Sequence, residues 1–391
     1  MSVPLLIDLS HTCHTRARTG IQRVVRSLRA ALGDAGVAVT HDPYARRWRQ
    51  LQRWEEDNLK SQAPAPKRGA HWSMAARFRS RASRVFTRAG GPHLPENCGL
   101  VVPEVFSPAV ARAWPELFAV VQGPRVAIFH DAIALKLPEV TPARTVARFP
   151  AYMSELLAFD GVVAISEESR DSLIGYWDWL GARQRPAVHT IGWGIDFEVP
   201  PASTGPRGES TLPVVLCVGS IEGRKNHEAL LDAGEALWGR GLKFTLHLIG
   251  LAQPQTGAAA LVRIRELQAA GRPLRYDGPV TDDALNSAYA ESAFTVYPSL
   301  MEGFGLPVLE SLAHGRPCIC SGGGALGESA RDGGCVTLDS TDADAIARAI
   351  EKLLKSPAEV ARLQGEARAR KFKTWAAYVV ELRGWLRALP R

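Results

Sequence analysis

With 391 residues, 46% of them hydrophobic and 22% charged, the chain is long enough for two globular domains, each with its own core. The formal net charge of +7 suits a partner that carries phosphates: a nucleotide, a nucleic acid or an anionic membrane surface. The sequence has no run of 18 apolar residues to span a membrane, and its first segment has too short an apolar core for a signal peptide. Residues 5–9 read instead as a strand. A polar loop follows, ending at Gly20, and then a helix over 21–32 whose buried face is Val24, Val25, Leu28 and Leu32. Strand, Gly-ended loop and helix make the first unit of a doubly wound α/β domain. Gly20 at the helix start lets a phosphate approach the backbone, with Arg16, Arg18 and Arg23 as nearby cations.

Residues 37–40 form a second strand. From 58 to 97 the composition turns basic. Lys60, Lys67, Arg68, Arg77, Arg79, Arg81, Arg84 and Arg88 face no acid between Asp57 and Glu96. Residues 72–88 suit a helix with Trp72, Ala75, Phe78, Ala82, Val85 and Phe86 on one side and arginines on the other. That pattern fits an anionic membrane surface, through residues 60–93, or a cover over a lipid-linked acceptor. It equally fits an insertion helix packed on its own domain. No nucleic-acid-binding motif accompanies it, so nucleic acid is not an expected partner.

Residues 99–103 and 125–129 read as strands, the second delivering His130 and Asp131 at its C-terminal end, where open α/β sheets bind ligands. A helix over 143–159 and a strand over 161–165 follow. Ser166 then opens a helix in the manner of a capping box. Residues 200–208 are rich in Pro and Gly and are placed as an interdomain linker. A strand over 213–218 restarts the pattern with Gly219, Ser220, Arg224 and Lys225 in the loop before a helix over 228–240. A diphosphate needs both charge and hydrogen-bond donors there.

Residues 293–297 are a buried strand. The loop after it carries Glu302, Gly303, Phe304 and Gly305, and a helix starts at Leu306 with Pro307 in its first turn. Gly315 and Pro317 end that helix, a strand spans 317–321, and Gly322, Gly323 and Gly324 make a turn. Glu302 and Glu310, separated by seven residues, can face one ligand across the loop. N–H groups at the helix start favour an anion. A strand over 334–338 and helices over 343–354, 358–373 and 375–389 complete the chain. The six cysteines, Cys13, Cys98, Cys217, Cys318, Cys320 and Cys335, include no C-x-x-C pair. Buried thiols in a reducing compartment are expected rather than disulfides or a metal site.

The string from Tyr297 to Gly324 resembles the E-x7-E signature of retaining nucleotide-sugar glycosyltransferases of family 4, with the GT-B fold. Segments around Thr19-Gly20-Ile21, His130-Asp131, Ile165-Ser166-Glu167 and Gly194-Ile195-Asp196 are similar to others in that family. Lys225 matches its loop lysine. Ser220 departs from the family's Arg, and Arg224 would supply the missing guanidinium. Ala325 to Glu328 resembles a loop of the family, with Gly327 in place of a Pro.

The resemblance implies an α/β protein of two Rossmann-like doubly wound domains facing a central cleft. Residues 1–200 would bind acceptor, 201–374 would bind the nucleotide-sugar, and 375–391 would form a helix crossing back to the first domain. It implies sugar transfer with retention from a nucleoside diphosphate to a hydroxyl acceptor. No cofactor and no metal are implied, since no dedicated metal-binding Asp-x-Asp appears. Glu310 would hold the ribose, Glu302 the sugar, and Arg224 and Lys225 the diphosphate. Backbone around Gly20, Ser220, Gly303, Phe304, Gly305 and Leu306 would help hold the donor, and His130 would bond the sugar near its reacting carbon. Arg18, Arg23, Asp131 and Ser166 are acceptor-side candidates, Ser166 also serving as a helix cap. The implied setting is surface-polysaccharide assembly, in the cytoplasm or on the inner face of its membrane. A GDP-sugar is the favoured donor, mannose or a deoxyhexose, with dTDP- and UDP-sugars next. The competing readings are a non-catalytic GT-B scaffold or a sugar-nucleotide-binding protein at the membrane, and a sugar-nucleotide epimerase.

Overall fold

The computed structural model describes residues 4–17, 20–61, 69–86, 94–95, 98–195 and 212–389. Arg18, Lys67, Arg68, Arg88, Asp196 and the linker at 200–208 lie outside them, as do the side chains of Val85 and Phe86. The chain forms two compact units. The first draws on Met1–Asp131, Arg148–Gly194 and Lys373–Arg391, the second on Ala132–Ala147 and Ile195–Phe372.

The first half runs β1 (Leu5–Asp8), α1 (Gly20–Leu32), β2 (Gly36–Asp42), β3 (Arg47–Gln50), α2 (Arg53–Lys60), α3 (Met74–Phe86), β4 (Gly99–Val102), α4 (Pro108–Phe118), β5 (Arg125–Phe129), α5 (Ile133–Lys136), α6 (Ala143–Glu155), β6 (Gly161–Ala164), α7 (Glu167–Trp179) and β7 (Ala187–Thr190). Its sheet has the order β3-β2-β1-β4-β5-β6-β7. All pairings are parallel except β2 with β3. Every residue of β1, β4 and β6 is buried, as a parallel sheet covered on both faces requires.

The second half runs β8 (Val214–Val218), α8 (His227–Gly239), β9 (Thr245–Ile249), α9 (Ala258–Ala269), β10 (Leu274–Tyr276), α10 (Asp282–Glu291), β11 (Phe294–Tyr297), α11 (Leu306–Ala313), β12 (Cys318–Ser321), α12 (Gly324–Ala330), β13 (Cys335–Leu338), α13 (Ala343–Lys355), α14 (Pro357–Ala369) and α15 (Trp375–Ala388). The second sheet, β10-β9-β8-β11-β12-β13, is parallel throughout. Helix α8 packs against α9 and α13, and its Leu230 and Leu237 share one core with Ile264 and Ile350.

Three local readings are corrected. The hairpin strand β3 and helix α2 went unseen because each buries only one residue, Trp48 in β3 and the charged Glu55 in α2, with Arg49 packed between charges. Arg49 donates to Asp42 at 3.0 Å and to both Glu55 oxygens at 2.7 and 2.8 Å, and Glu55 is fully buried. Burial pushes the Glu55 carboxyl up, but bonds from Arg49 and His14 outweigh it and hold it near 2. In α3 the inward residues are Ala76 and Ser80, and Ser80 Oγ donates to Asp42 at 2.7 Å. Trp72 precedes the helix and stacks on His14. Met74 and Phe78 point outward, each 75% exposed, beside exposed Arg79, Arg81 and Arg84. Residues 325–328, read as loop, are part of α12, whose Ala325 and Leu326 are buried.

The unit boundaries also depart from a single break near residue 200. Ala132–Ala147 folds with the second unit, where Val140 lies so close to Gly223 that a Cβ there would sit 2.8 Å from it. Helix α15 belongs to the first unit, burying Trp375, Tyr378, Leu382 and Leu386. Gly194 makes this docking close: a Cβ would fall 2.6 Å from the Trp375 backbone.

Candidate active site

Strand order reverses between β8 and β11 in the second sheet, because β8 leads outward to β9 on one side and β11 to β12 on the other. Open α/β sheets bind ligands at the carboxyl ends of strands at such a switch point. Two loops meet there. The β8 loop runs through Gly219 and Ser220, forms one 3-10 turn over Gly223–Lys225, and enters α8 through Asn226 in the left-handed region (φ 57°). The β11 loop leads through Glu302 and Gly303 to α11. The Leu300 N–H bonds the Arg224 carbonyl at 2.8 Å, tying one loop to the other.

Their side chains form one ion cluster. Arg224 donates to Glu302 Oε2 at 2.7 Å and pairs with Glu222 at 2.7 Å. Lys225 Nζ pairs with Glu302 Oε1. Burial pushes the Glu302 carboxyl up, yet the charges of Arg224 and Lys225 outweigh that and hold it near 2. Glu302 is thus an anion that orders two cations.

Gly305 caps α11 in the left-handed region (φ 97°), and a Cβ there would meet Ser329 Oγ at 2.8 Å. Ser329 Oγ donates to the Phe304 carbonyl at 2.6 Å, which holds the loop against α12. Within α11, Glu310 is buried and accepts from Tyr289 at 3.2 Å. Tyr289 in turn stacks on His314 at 4.7 Å. Glu302 and Glu310 therefore do different things: one organises cations, the other sits in an aromatic wall.

The first sheet has its own switch point, between β1 and β4, and it is acidic. Asp8 ends β1 and Glu104 follows β4, both buried. Glu104 accepts the N–H groups of His11 and Thr12 at 2.8 and 2.7 Å. Burial, then the Glu104 charge, raises the Asp8 carboxyl to about 7. His130, at the end of β5, is buried and donates from Nε2 to the Pro103 carbonyl at 2.8 Å. That leaves Nδ1 as the ring's acceptor. Burial lowers the His130 pKa against that bond. Asp131 beside it is half-buried. Ser166 caps α7 by accepting the Ser169 N–H at 3.1 Å, and Ser169 Oγ donates to the His130 carbonyl at 2.7 Å.

The structure thus brings Ser220, Arg224, Lys225, Glu302, Gly303, Phe304, Gly305, Leu306 and Glu310 to one switch point in the second unit. His130, Asp131, Ser166, Gly20 and Arg23 are in the first unit. Gly20 is exposed at the head of α1 with open space around it, and Arg23 is half-buried in that helix. Sequence reasoning missed Asp8, Glu104, Glu222 and Tyr289. For Asp8 and Glu104 a signal was present: each is a carboxylate at the C-terminal end of an apolar run.

Residues 212–356 match the family described as Glycosyl transferases group 1. The chain is 25% identical over 342 residues to the serotype-specific mannosyltransferase WbdA of Escherichia coli, covering 81% of this chain and 38% of that protein. It is 30% identical over 262 residues to the O-antigen chain mannosyltransferase B of Escherichia coli, covering 63% of this chain and 66% of that one. The chain thus spans well under half the length of the first relative and just under two thirds of the second. Among solved structures, Anabaena HepE in complex with UDP and glucose superposes with a TM-score of 0.71 at 14% identity, over 99% of this chain and 100% of that one. Sucrose-phosphate synthase from Thermosynechococcus elongatus superposes with a TM-score of 0.66 at 18% identity, over 99% of both chains.

Proposed function

We propose that the chain, whose residues 212–356 match the group 1 glycosyltransferase family and whose fold is GT-B, transfers mannose, with retention of configuration, from GDP-mannose to a hydroxyl of a growing, lipid-linked saccharide in surface-polysaccharide synthesis. The ion cluster at the β8/β11 switch point carries this reading. A diphosphate brings the anionic oxygens that Arg224 and Lys225 already bind in the form of Glu302, so donor and carboxylate share one set of N–H donors. The O-antigen mannosyltransferases among the relatives support mannose as the sugar.

In the transfer, the bond between the sugar's anomeric carbon and the diphosphate oxygen breaks, and the acceptor hydroxyl bonds that carbon on the same face. The hydroxyl proton passes to an oxygen of the leaving diphosphate. Charge grows on that leaving group, and Arg224 and Lys225 are set to meet it, so no protein nucleophile is required. Glu302 addresses the sugar, Glu310 the ribose, and the backbone from Gly303 to Leu306 the phosphates. His130 offers Nδ1 to a sugar hydroxyl. The anionic membrane is met by α3, whose exposed Met74 and Phe78 lie among arginines.

The test is a panel of GDP-, dTDP- and UDP-sugars with release of free nucleoside diphosphate as readout. GDP-mannose should give the fastest release, and dependence on a saccharide acceptor should follow. Should no nucleoside diphosphate raise the melting temperature of the protein, the enzyme reading fails and the scaffold reading replaces it.

A further inference from the structure

Three thiols scattered in sequence gather on one face of the second sheet. Cys318 and Cys320 are alternate residues of β12 and leave the same side of the strand. Strand β13 runs parallel to it with Cys335 in register with Cys318. The three Sγ atoms all lie within 4.8 Å of one another. Cys318 and Cys320 are fully buried, and Cys335 is half-buried, giving the cluster access to solvent. None of the three is in a disulfide.

That spacing is a ligand spacing. Sulfurs about 2.3 Å from a common zinc ion stand about 4 Å apart, so the trio closes on an ion with only side-chain adjustment. A second observation is Arg370, whose side chain is 7% exposed. Its Nη1 donates to the carbonyls of Ser329 and Gly333, and its Nη2 reaches the exposed Asp332 at 3.4 Å. Its Nε is buried with no hydrogen-bond partner among the described residues, and its charge acts on both Cys320 and Cys335. Glu366 also acts on Cys335, but it is engaged by the Gly334 N–H and Arg362. Three thiolates around a divalent ion carry one net negative charge, which a single guanidinium balances in a buried setting.

A second trio, Cys13, His14 and Glu55, is equally close. Its donors are spent: His14 bonds the Ser10 carbonyl and Glu55, and Glu55 also takes Arg49 and the Gln52 N–H.

We propose that Cys318, Cys320 and Cys335 form a three-thiolate site for a thiophilic divalent cation of the zinc or cadmium kind, with Arg370 balancing its charge and a fourth position left for water. Arg370 also holds the Ser329 carbonyl, and Ser329 Oγ holds Phe304. The site is thereby linked to the loop ahead of α11.

The test titrates cadmium into the whole protein, reduced and stripped of metal by a chelator. Sulfur-to-metal charge-transfer absorption and elemental analysis after gel filtration are the readouts. Wild type should bind one equivalent and gain thermal stability. Cys335→Ser, at a half-buried position that tolerates the change, should lose at least tenfold in affinity, whereas Cys13→Ala should keep it. The proposal is overturned if wild type shows no saturable one-to-one binding, or if Cys335→Ser binds as tightly as wild type. Should Cys320→Ala fold poorly, Cys335→Ser alone decides.

Discussion

The two switch points are alike in topology and differ in charge: one holds paired cations, the other carboxylates alone. Between β8 and β11 stand two cations, Arg224 and Lys225, both paired with Glu302, and Arg224 also with Glu222. Between β1 and β4 stand two carboxylates, Asp8 and Glu104, with no cation bonded to either among the described residues. In the first sheet Glu104 occupies the N–H groups of His11 and Thr12, the kind of backbone pocket that elsewhere takes a phosphate. The chain has filled that pocket with its own anion. A phosphate arriving there would meet like charge, whereas at the second switch point it replaces one anion with another. In the proposed function the second crevice takes the charged donor and the first a neutral, hydroxyl-bearing partner.

The largest effect that tests this contrast is Lys225→Ala. Losing one preorganised cation should lower kcat/KM about 10²- to 10³-fold, measured by diphosphate release. Nucleoside diphosphate affinity in calorimetry should fall by about 10-fold or more. Glu104→Gln should leave that affinity unchanged. If both variants weaken nucleotide binding alike, the contrast is void.

Stability against pH separates the crevices next. Glu302 is held near 2 in the fold, below its unfolded value, so its contribution is present above about pH 4.5 and lost as pH falls toward 2. Asp8 is raised to about 7, so its contribution is complete below about pH 4 and lost as pH rises to 7. Each effect is on the order of 2–4 kcal/mol. Urea midpoints across pH should show Asp8→Asn removing the decline from pH 4 to 7, and Glu302→Gln flattening the acid limb. An unchanged pH profile in Asp8→Asn would show that this carboxyl is not held protonated.

His130→Gln is expected to cost less. Its buried ring keeps one nitrogen on the Pro103 carbonyl and, in the proposed function, offers the other to a sugar, so kcat should fall about 10- to 100-fold with nucleotide affinity preserved. A parallel loss of nucleotide affinity would mean that the ring supports the fold rather than the sugar.

The second crevice was the more legible of the two. Apolar runs at 213–218 and 293–297, each followed by glycines and charge, announce strand, turn and helix, and the parallel sheet fixes where their loops meet. The ion pairing of Glu302 with Arg224 and Lys225 was not legible, because it depends on the Leu300–Arg224 backbone bond that joins loops far apart in sequence. The first crevice was harder. A strand-end carboxylate such as Asp8 reads as an ordinary polar terminus until Glu104 is placed beside it. The β3–α2 region hid its burial behind charge, since Arg49, Asp42 and Glu55 satisfy one another inside the fold. The three thiols escaped because strand register, not spacing along the chain, brings Cys335 to Cys318.

The smallest effect concerns the first unit's outer surface. Helix α3 is already anchored inward by Ser80 on Asp42 and by buried Ala76, so Phe78 and Met74 have no part in holding it. Full burial of a side chain such as Phe78 is worth about 1.5–3 kcal/mol, and each arginine near an anionic surface adds about 1 kcal/mol. Phe78→Ser should therefore weaken binding to vesicles containing anionic lipid by about tenfold, while diphosphate release with a water-soluble acceptor stays at the wild-type rate. Arg79→Glu should weaken the same binding and reduce its salt dependence, with Arg81 and Arg84 keeping the remainder. Neutral vesicles should capture neither variant nor wild type strongly. Equal partitioning of wild type and Phe78→Ser on anionic vesicles would overturn the membrane reading of α3 and leave the proposed role of the β8/β11 crevice as it stands, because the two rest on different residues.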